Sequence, residues 1–425
     1  MLESRVGALS GVGLEIKGTW GDELAGKRIA HCITGSISVY KAPDIARSLV
    51  RHGADVFPVM SPDAARLLSP KIMEWATGQK PLTVIGGRTE HIELTEGKDR
   101  VDLVLVAPAS ANTIAKVSHG ISDTSVTLVV SAALGAGIPV VLCPVMHGSM
   151  MKNPAVEEAL LRLRGMGVSI VEPLLEEQKA KIPPPEWILD EVIYRLAPKP
   201  LAGRRFVVSA GPTREHIDSV RFITNASSGR MGIELTRALR MMGGDVSLVL
   251  GPTSLEAPRG VKVSRVTTAA EMLEKVLEES EGAEAFFSTA AVSDYRPSSG
   301  MVGKLESAAH ARLSLELVAT PKVINEVKER IPTLEIIPFK AVYGLNHDPR
   351  KIYAEYEEIK PIMLVVNDVS RPDIGFASDY NEVTVISRSG RVTHIPRARK
   401  TVVARKIVEL YIEEKLRPPP AHSAT

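Results

Sequence analysis

Between Ser209 and Gly232 the chain reads SAGPTREHIDSVRFITNASSGRMG. The apolar run Arg205-Phe206-Val207-Val208 stops at Gly211-Pro212, and Asn225-Ala-Ser-Ser-Gly-Arg-Met-Gly232 then opens a helical pattern through Leu235, Leu239 and Met242. Strand, small-residue loop and helix together turn backbone N–H groups and a helix dipole toward a phosphate. Asn225, Ser227, Ser228 and Arg230 add side-chain donors, although the same residues also make an ordinary long turn. A second cradle of this kind is Thr34-Gly-Ser-Ile-Ser-Val-Tyr-Lys41, where Gly35 permits a tight turn and Thr34, Ser36 and Ser38 bring hydroxyls to a helix start. Such hydroxyls are equally common as plain helix caps. A third, Ala107-Pro-Ala-Ser-Ala-Asn-Thr113, closes an apolar strand, and parallel sheets bind ligands at strand carboxyl ends. No G-x-G-x-x-G is followed by an acidic ribose reader, which favours a mononucleotide over NAD. His91, in Glu90-His-Ile-Glu-Leu94, lies in a polar stretch whose pattern does not call for a core histidine. Imidazole, with an ordinary pKa of about 6.5, takes a proton at neutral pH.

These residues need elements to hold them. Apolar strand-like runs at 28–33, 55–60, 102–107, 139–143 and 168–171 alternate with helical stretches such as 42–52 and 154–166, which predicts a parallel sheet covered on both faces. Residues 178–185, rich in Lys and Pro, read as a loop before a helix over 186–196. The turn-rich segment 198–203 marks a domain boundary. The pattern restarts with strands at 205–209, 245–250, 261–266, 285–289, 335–339 and 362–366. Thr268-Ala-Ala-Glu271 reads as a capping box, residues 382–387 and 392–395 as a hairpin at the sheet edge, and 399–415 as a last helix. The expected organisation is α/β: two doubly wound parallel-sheet domains, over 26–197 and 198–416. A flexible extension (1–25) precedes them and a disordered tail (417–425) follows.

The 425 residues suit two or three domains. A formal net charge of +2 and an aromatic content of 4% argue against nucleic-acid or membrane-surface binding. The two cysteines, Cys32 and Cys143, sit in apolar strands and read as core filler, and no metal-ligand spacing is present. With no apolar stretch of membrane-spanning length and no signal-peptide core, a soluble cytoplasmic protein is expected.

The GPTRE segment followed by SSG, a basic residue and MG resembles the phosphopantothenate–cysteine ligase family. The preceding half resembles the flavin-dependent phosphopantothenoylcysteine decarboxylases often fused to such ligases. The likeness runs from about Gly26 to about Val402. It implies a flavodoxin-like N-terminal flavoprotein domain, with FMN held by Gly35, Ser36, Ile37, Ser61, Ser110, Ala111, Asn112 and Thr113. His91, in the family's HIEL-type motif, would be catalytic. Two departures stand out. His147 occupies the place of a substrate-gripping Asn in Pro144-Val-Met146-His147-Gly-Ser-Met150. The flap region 176–185 lacks the family's proton-donating cysteine, leaving Lys179 or Lys181 as substitutes. Met146, His147 and Lys179 are therefore the expected substrate contacts.

For the second half the resemblance implies a Rossmann-like domain with an antiparallel edge hairpin. It would activate a carboxylate with CTP and Mg²⁺ as an acyl-cytidylate, with Asn225 beside the acyl group. The matching CTP contacts are Asp294, Lys304, Pro321, Lys322, Val323 and Ile324 (at a helix start with Pro in its first turn), and Phe339. Lys340 and Lys360 are candidates at shifted positions. Read singly, Asp294 is also a turn cap, Lys304 a solvated lysine and Phe339 a core residue. The implied partners are 4'-phosphopantothenate, cysteine and CTP, with homo-oligomers formed through both halves: trimers or dodecamers through the first and dimers through the second. Two rival readings of the first half are a prenyl-flavin-forming transferase, which leaves HIEL unexplained, and a non-catalytic flavoprotein regulator, supported by the missing cysteine.

Overall fold

The computed structural model describes residues 15–299, 303–304, 312–344, 348–371, 373–375 and 378–416. The chain divides into two compact units, Met1–Ala197 and Pro198–Thr425. In the first, β1 (Arg28–Ile33), α1 (Ala42–Arg51), β2 (Asp55–Met60), α2 (Pro62–Leu67), α3 (Pro70–Thr77), α4 (Glu90–Thr95), β3 (Leu103–Ala109), α5 (Ala111–Ser118) and α6 (Ser125–Gly135) follow in order. Then come β4 (Val140–Pro144), β5 (Met146–His147), α7 (Gly148–Met151), α8 (Pro154–Gly165), β6 (Ser169–Ile170), β7 (Leu174–Glu176), β8 (Lys179–Lys181) and α9 (Pro185–Leu196). The main sheet runs β2-β1-β3-β4-β6, every pair parallel. β3 is buried along its whole length, as expected of a strand covered on both faces. The chain winds from β1 toward β2 and later from β3 toward β4. This is the flavodoxin-like order, with its switch point between β1 and β3.

The second unit contains β9 (Arg205–Ala210), β10 (Arg214–His216), β11 (Phe222–Thr224), α10 (Arg230–Met241), β12 (Asp245–Leu250), β13 (Lys262–Arg265), α11 (Ala269–Ser280) and β14 (Ala285–Ser288). β15 (Tyr295–Pro297), β16 (Leu317–Ala319), α12 (Val323–Arg330), β17 (Glu335–Val342), α13 (Pro349–Ala354), β18 (Met363–Asp368), β19 (Tyr380–Ser387), β20 (Val392–Arg399) and α14 (Lys400–Leu416) complete it. Its sheet runs β13-β12-β9-β14-β17-β18-β19-β20. The pairs are parallel as far as β18, and the hairpin β19–β20 adds an antiparallel edge. Here the switch point falls between β9 and β14.

Helix α14 seals one face of this sheet. Its buried residues Lys400, Val403, Ala404, Ile407, Val408 and Tyr411 recur at helical spacing. Tyr411 is fully buried, with its ring edge-on to Phe206 at 5.9 Å and Phe287 at 5.6 Å. Each such aromatic contributes about 1.5–3 kcal/mol by leaving water. Thr268 and Glu271 form the expected capping box at the start of α11.

Several segments differ from the sequence reading. Residues 178–185 are a loop only in part, at 178 and 182–184. Lys179–Lys181 form β8, paired antiparallel with both β7 and β5, and α9 begins at Pro185. The segment holding His91 is helical (α4), and Phe222–Thr224 pairs with Arg214–His216 as a ribbon. Residues 15–25 pack on the first unit rather than extending from it. Leu24 is fully buried, Lys17 pairs with Asp55 at 2.6 Å, and the Gly18 N–H donates to the Val50 carbonyl. The expected tail, 417–425, and residues 1–14 lie outside the described residues.

Two candidate active sites at the carboxyl edges of the sheets

In the first unit the loops leaving β1, β2 and β3 meet at one edge. Each places a serine at an N-cap: Ser36 before the turn at 37–41, Ser61 before α2 and Ser110 before α5. Their hydroxyls accept from the backbone N–H groups of Ser38, Ala64 and Thr113. Thr34, buried, ties the switch point together, donating to the Pro108 carbonyl at 2.8 Å and accepting from the Ser110 N–H at 2.9 Å. The Ser61 N–H donates to the Ile33 carbonyl, which brings the β2 loop alongside. Gly35 is required for this closeness, because a Cβ there would lie 2.4 Å from the Asp63 Cβ. Gly35, Ser36, Ile37, Ser61 and Ser110–Thr113 therefore share one rim, with Ile37 83% exposed and Asn112 exposed. Hydroxyls and helix starts converging at a switch point fit the phosphate of a mononucleotide such as FMN.

His91 lies in the first turn of α4, which packs on α6; Ser125 at the start of α6 donates to the Met60 carbonyl beside Ser61. Its Nδ1 is buried with no hydrogen-bond partner. Beyond β4, the register of β5 against β8 sets His147 opposite Lys179 and Met146 opposite Ala180. Nδ1 of His147 lies 3.1 Å from the Ser149 hydroxyl. The β7–β8 turn has Glu177 and Gln178 at φ 49° and 59°, and the Gly148 N–H donates to the Gln178 carbonyl at 2.8 Å. Lys181 is held within this hairpin by Glu176 and Glu177, whose hydrogen bonds raise its pKa, Glu177 most. Lys179 is thus the lysine presented beside His147. Burial pushes the thiols of Cys32 and Cys143 well above the usual range, so neither supplies a thiolate.

In the second unit four loops are stitched together at the β9/β14 switch point. Gly211 follows β9 with φ 83°, and Gly229, the N-cap of α10, has φ 78°. Added Cβ atoms would crowd each of them against backbone: Gly211 against Gly251, and Gly229 against Gly211. Asn225 donates through Nδ2 to the Ala291 and Val292 carbonyls at 3.0 and 3.2 Å. Thr213 receives the Ser293 N–H on its hydroxyl, and the Thr320 N–H donates to the Asp294 carbonyl. Asp294 and Lys322 form an ion pair at 2.5 Å. A cavity of about 120 Å³ is lined by Ser227–Gly232, Thr289–Ala291, Phe339, Asn367 and Lys400 among others.

The structure thus brings Asn225, Asp294, Lys322 and Phe339 to one edge, with Val323 and Ile324 opening the adjoining α12. Three expectations are corrected. Pro321 precedes Lys322, the N-cap, and so is not in the first turn of α12. Helix α10 starts at Arg230, within the stretch 225–232 expected to open it, after Gly229 takes the left-handed conformation. Lys340 follows Phe339 on β17, hence faces the opposite side of the sheet, and pairs with Glu355 at 3.5 Å. Lys360 precedes β18 and so lies at the amino-terminal edge, away from the cavity. Lys304 is exposed next to Gly303, which is tied to Ser219 by backbone and side-chain hydrogen bonds.

Lys400 is the residue that sequence reasoning missed. It is 4% exposed, and Nζ lies 3.3 Å from the Gly375 carbonyl. Burial first, and then the Arg230 guanidinium, lower its pKa from 10.5 to about 8, with Asp379 opposing. The available signal was its position: it falls in register with the apolar stripe of α14 rather than with that helix's charged face.

Residues 19–197 match the Flavoprotein family, and residues 201–414 match the DNA/pantothenate metabolism flavoprotein C-terminal domain. Over 391 residues the chain is 39% identical to a coenzyme A biosynthesis bifunctional protein of Thermococcus kodakarensis, covering 91% of this chain and 94% of that protein. The chain belongs to the family of bifunctional coenzyme A biosynthesis proteins. The member from Bacillus subtilis is 32% identical, with 91% of this chain and 97% of that protein covered. Among solved structures, the C-terminal domain of a coenzyme A biosynthesis bifunctional protein matches with 31% identity and a TM-score of 0.42, covering 51% of this chain and 97% of that one. An FMN-dependent cysteine decarboxylase matches with 29% identity and a TM-score of 0.35, covering 40% and 99%.

Proposed function

We infer that this chain catalyses two successive steps of coenzyme A biosynthesis. Its second unit joins 4'-phosphopantothenate to cysteine using CTP, and its first unit decarboxylates the resulting 4'-phosphopantothenoylcysteine to 4'-phosphopantetheine. The observation that carries this reading is that each unit gathers its own family motif at its own switch point, in a chain aligned nearly end to end with bifunctional relatives.

In the second unit, Asn225 braces the Ala291–Val292 carbonyls beside the reacting carboxylate. Ser227, Ser228 and the N-terminus of α10 receive phosphate oxygens, and Phe339 walls the cavity. Attack of the carboxylate on the α-phosphorus of CTP forms the acyl-cytidylate and releases pyrophosphate. The cysteine amine then displaces CMP. Mg²⁺ would accompany the triphosphate, with Asp294 the nearby carboxylate.

In the first unit, Ser36, Ser61, Ser110 and Thr113 would hold the phosphate of FMN, with Ile37 offering an apolar lip. FMN bound there would accept two electrons from the cysteinyl side chain and return them after carbon dioxide has left. His91 takes the proton of the substrate thiol, consistent with its unpartnered Nδ1. His147 and Lys179, register partners on β5 and β8, receive the substrate carboxylate, and Lys179 is placed to return a proton in place of a cysteine.

The test is to supply the purified protein with 4'-phosphopantothenate, cysteine, CTP and Mg²⁺ while following carbon dioxide, CMP and the flavin absorbance. Stoichiometric CMP and carbon dioxide are expected. CMP without carbon dioxide would leave the ligase reading and discard the decarboxylase one.

A further inference from the structure

We propose that His31, buried in the middle of β1, is a positioning residue for the flavin-phosphate loop: by holding the Ala107 carbonyl it fixes the path of residues 107–113, and with it Ser110 and Thr113. The inference rests on FMN binding at the first switch point, and gives that site a residue that never touches the cofactor. His31 is fully buried, and so are its strand neighbours Ile29, Ala30, Cys32 and Ile33. An imidazole among them gives up hydration that a leucine would not have had to lose. Its Nε2 lies 2.7 Å from the Ala107 carbonyl, while Nδ1 is buried with no hydrogen-bond partner. A carbonyl only accepts, so Nε2 carries the proton and Nδ1 the lone pair. Burial lowers the His31 pKa from 6.5 to about 4, with the carbonyl bond opposing, so the ring is a neutral donor at neutral pH.

The bond falls where the sheet releases β3. On one side the β1–β3 register ends at Cys32 and Val106, and on the other the β3–β4 register shifts between Val106 and Ala109. Two side chains of β1 take over there. His31 donates to the Ala107 carbonyl, and Thr34 donates to the Pro108 carbonyl and accepts from the Ser110 N–H. Thr34 thus holds the loop at its rim, and His31 from the core beneath. Next along the chain are Ser110, the N-cap of α5, and Thr113, whose N–H and hydroxyl both meet the Ser110 hydroxyl. Without its donor the Ala107 carbonyl is a buried polar group that must seek another partner, and the helix start that faces the phosphate moves with it.

The test is to free the full chain of flavin and titrate it with FMN, following flavin fluorescence, for the wild type, His31→Leu and His31→Gln. Leucine fills apolar space without a donor, whereas the glutamine amide reaches about as far as Nε2 of histidine and donates as it does. The expected result is an FMN Kd raised roughly tenfold in His31→Leu and mostly restored in His31→Gln. CMP formation by the second unit stays at the wild-type rate in both. A folded His31→Leu that binds FMN as the wild type does overturns the proposal, as does a weakened affinity that glutamine does not restore. Should His31→Leu not fold, the wild type decides, by NMR of isotope-labelled histidine with the His31 signal assigned by its absence from His31→Gln. Nε2 should be protonated and Nδ1 bare in the flavin-free chain, and the Nε2 proton should exchange more slowly once FMN is bound. The opposite tautomer, or exchange that FMN leaves unaltered, overturns the proposal. A wild-type chain that binds no FMN removes the flavin site itself, and this inference with it.

Discussion

Individual side chains divide the two reactions cleanly enough to be tested one at a time. His91→Asn removes the ring proposed to accept a proton in the first unit, so carbon dioxide release should stop while CMP forms at the wild-type rate. Equal loss of both products would show that His91 is not the base. Asn225→Asp sets a carboxylate against the Ala291 and Val292 carbonyls, which Nδ2 of Asn225 now reaches at 3.0 and 3.2 Å. Ligation should fall by about a hundredfold or more, as for loss of one preorganised donor, while decarboxylation of supplied 4'-phosphopantothenoylcysteine persists. Lys400 adds a stability signature. Its folded pKa, about 8, lies below the 10.5 of an exposed lysine, so between those values the unfolded chain binds the extra proton. Stability contributed by this group therefore rises with pH across that window, and its full burial penalty is present below it. Denaturant unfolding measured on both sides of that window should show the slope in the wild type and a flatter one in Lys400→Met.

At the level of elements, close approach decides what each position tolerates. A Cβ on Gly232 would lie 2.3 Å from the Thr289 Oγ1 and 2.4 Å from the Ala210 Cβ, so α10 packs directly on the strands that flank the switch point. Gly232→Ala should cost about 1–3 kcal/mol in unfolding free energy and raise the KM for a phosphate-bearing substrate of ligation, because the helix N-terminus moves with the helix. The main strands were legible because two-sided burial writes uninterrupted apolar runs, as in β3, and α11 because Thr268 and Glu271 announce its start. The β7–β8 hairpin was not. Its turn places Glu177 and Gln178, neither glycine nor asparagine, at positive φ, and its strands are three residues each. What fixes it is the distant Gly148 N–H on the Gln178 carbonyl, a contact no local pattern carries. The candidate sites followed the same rule. Asn225, Asp294 and Phe339 stand in recognisable motifs, whereas Lys340 and Lys360 are near those motifs only in sequence, which says nothing about sheet face or edge.

The same design appears in each unit: a parallel sheet, a reversal in winding direction, and a loop of small residues leading into a helix at the reversal. The second sheet additionally carries an antiparallel edge, and its face is closed by α14. Tyr411→Ala should remove about 3–5 kcal/mol from the unfolding of the second unit, by emptying a site bounded by Phe206 and Phe287. Decarboxylation of supplied substrate should survive at temperatures where CMP formation has already collapsed. Loss of both activities at one temperature would mean that the units do not unfold separately.

Helix α14 has one more consequence, for how the protein is made. A polypeptide released by the ribosome before Lys400 has every motif of the ligase half except the helix that closes its sheet, and it lacks Tyr411 and the buried amine together. Premature termination would then yield a finished flavoprotein half joined to an inert partner, so a truncated product would not spend CTP.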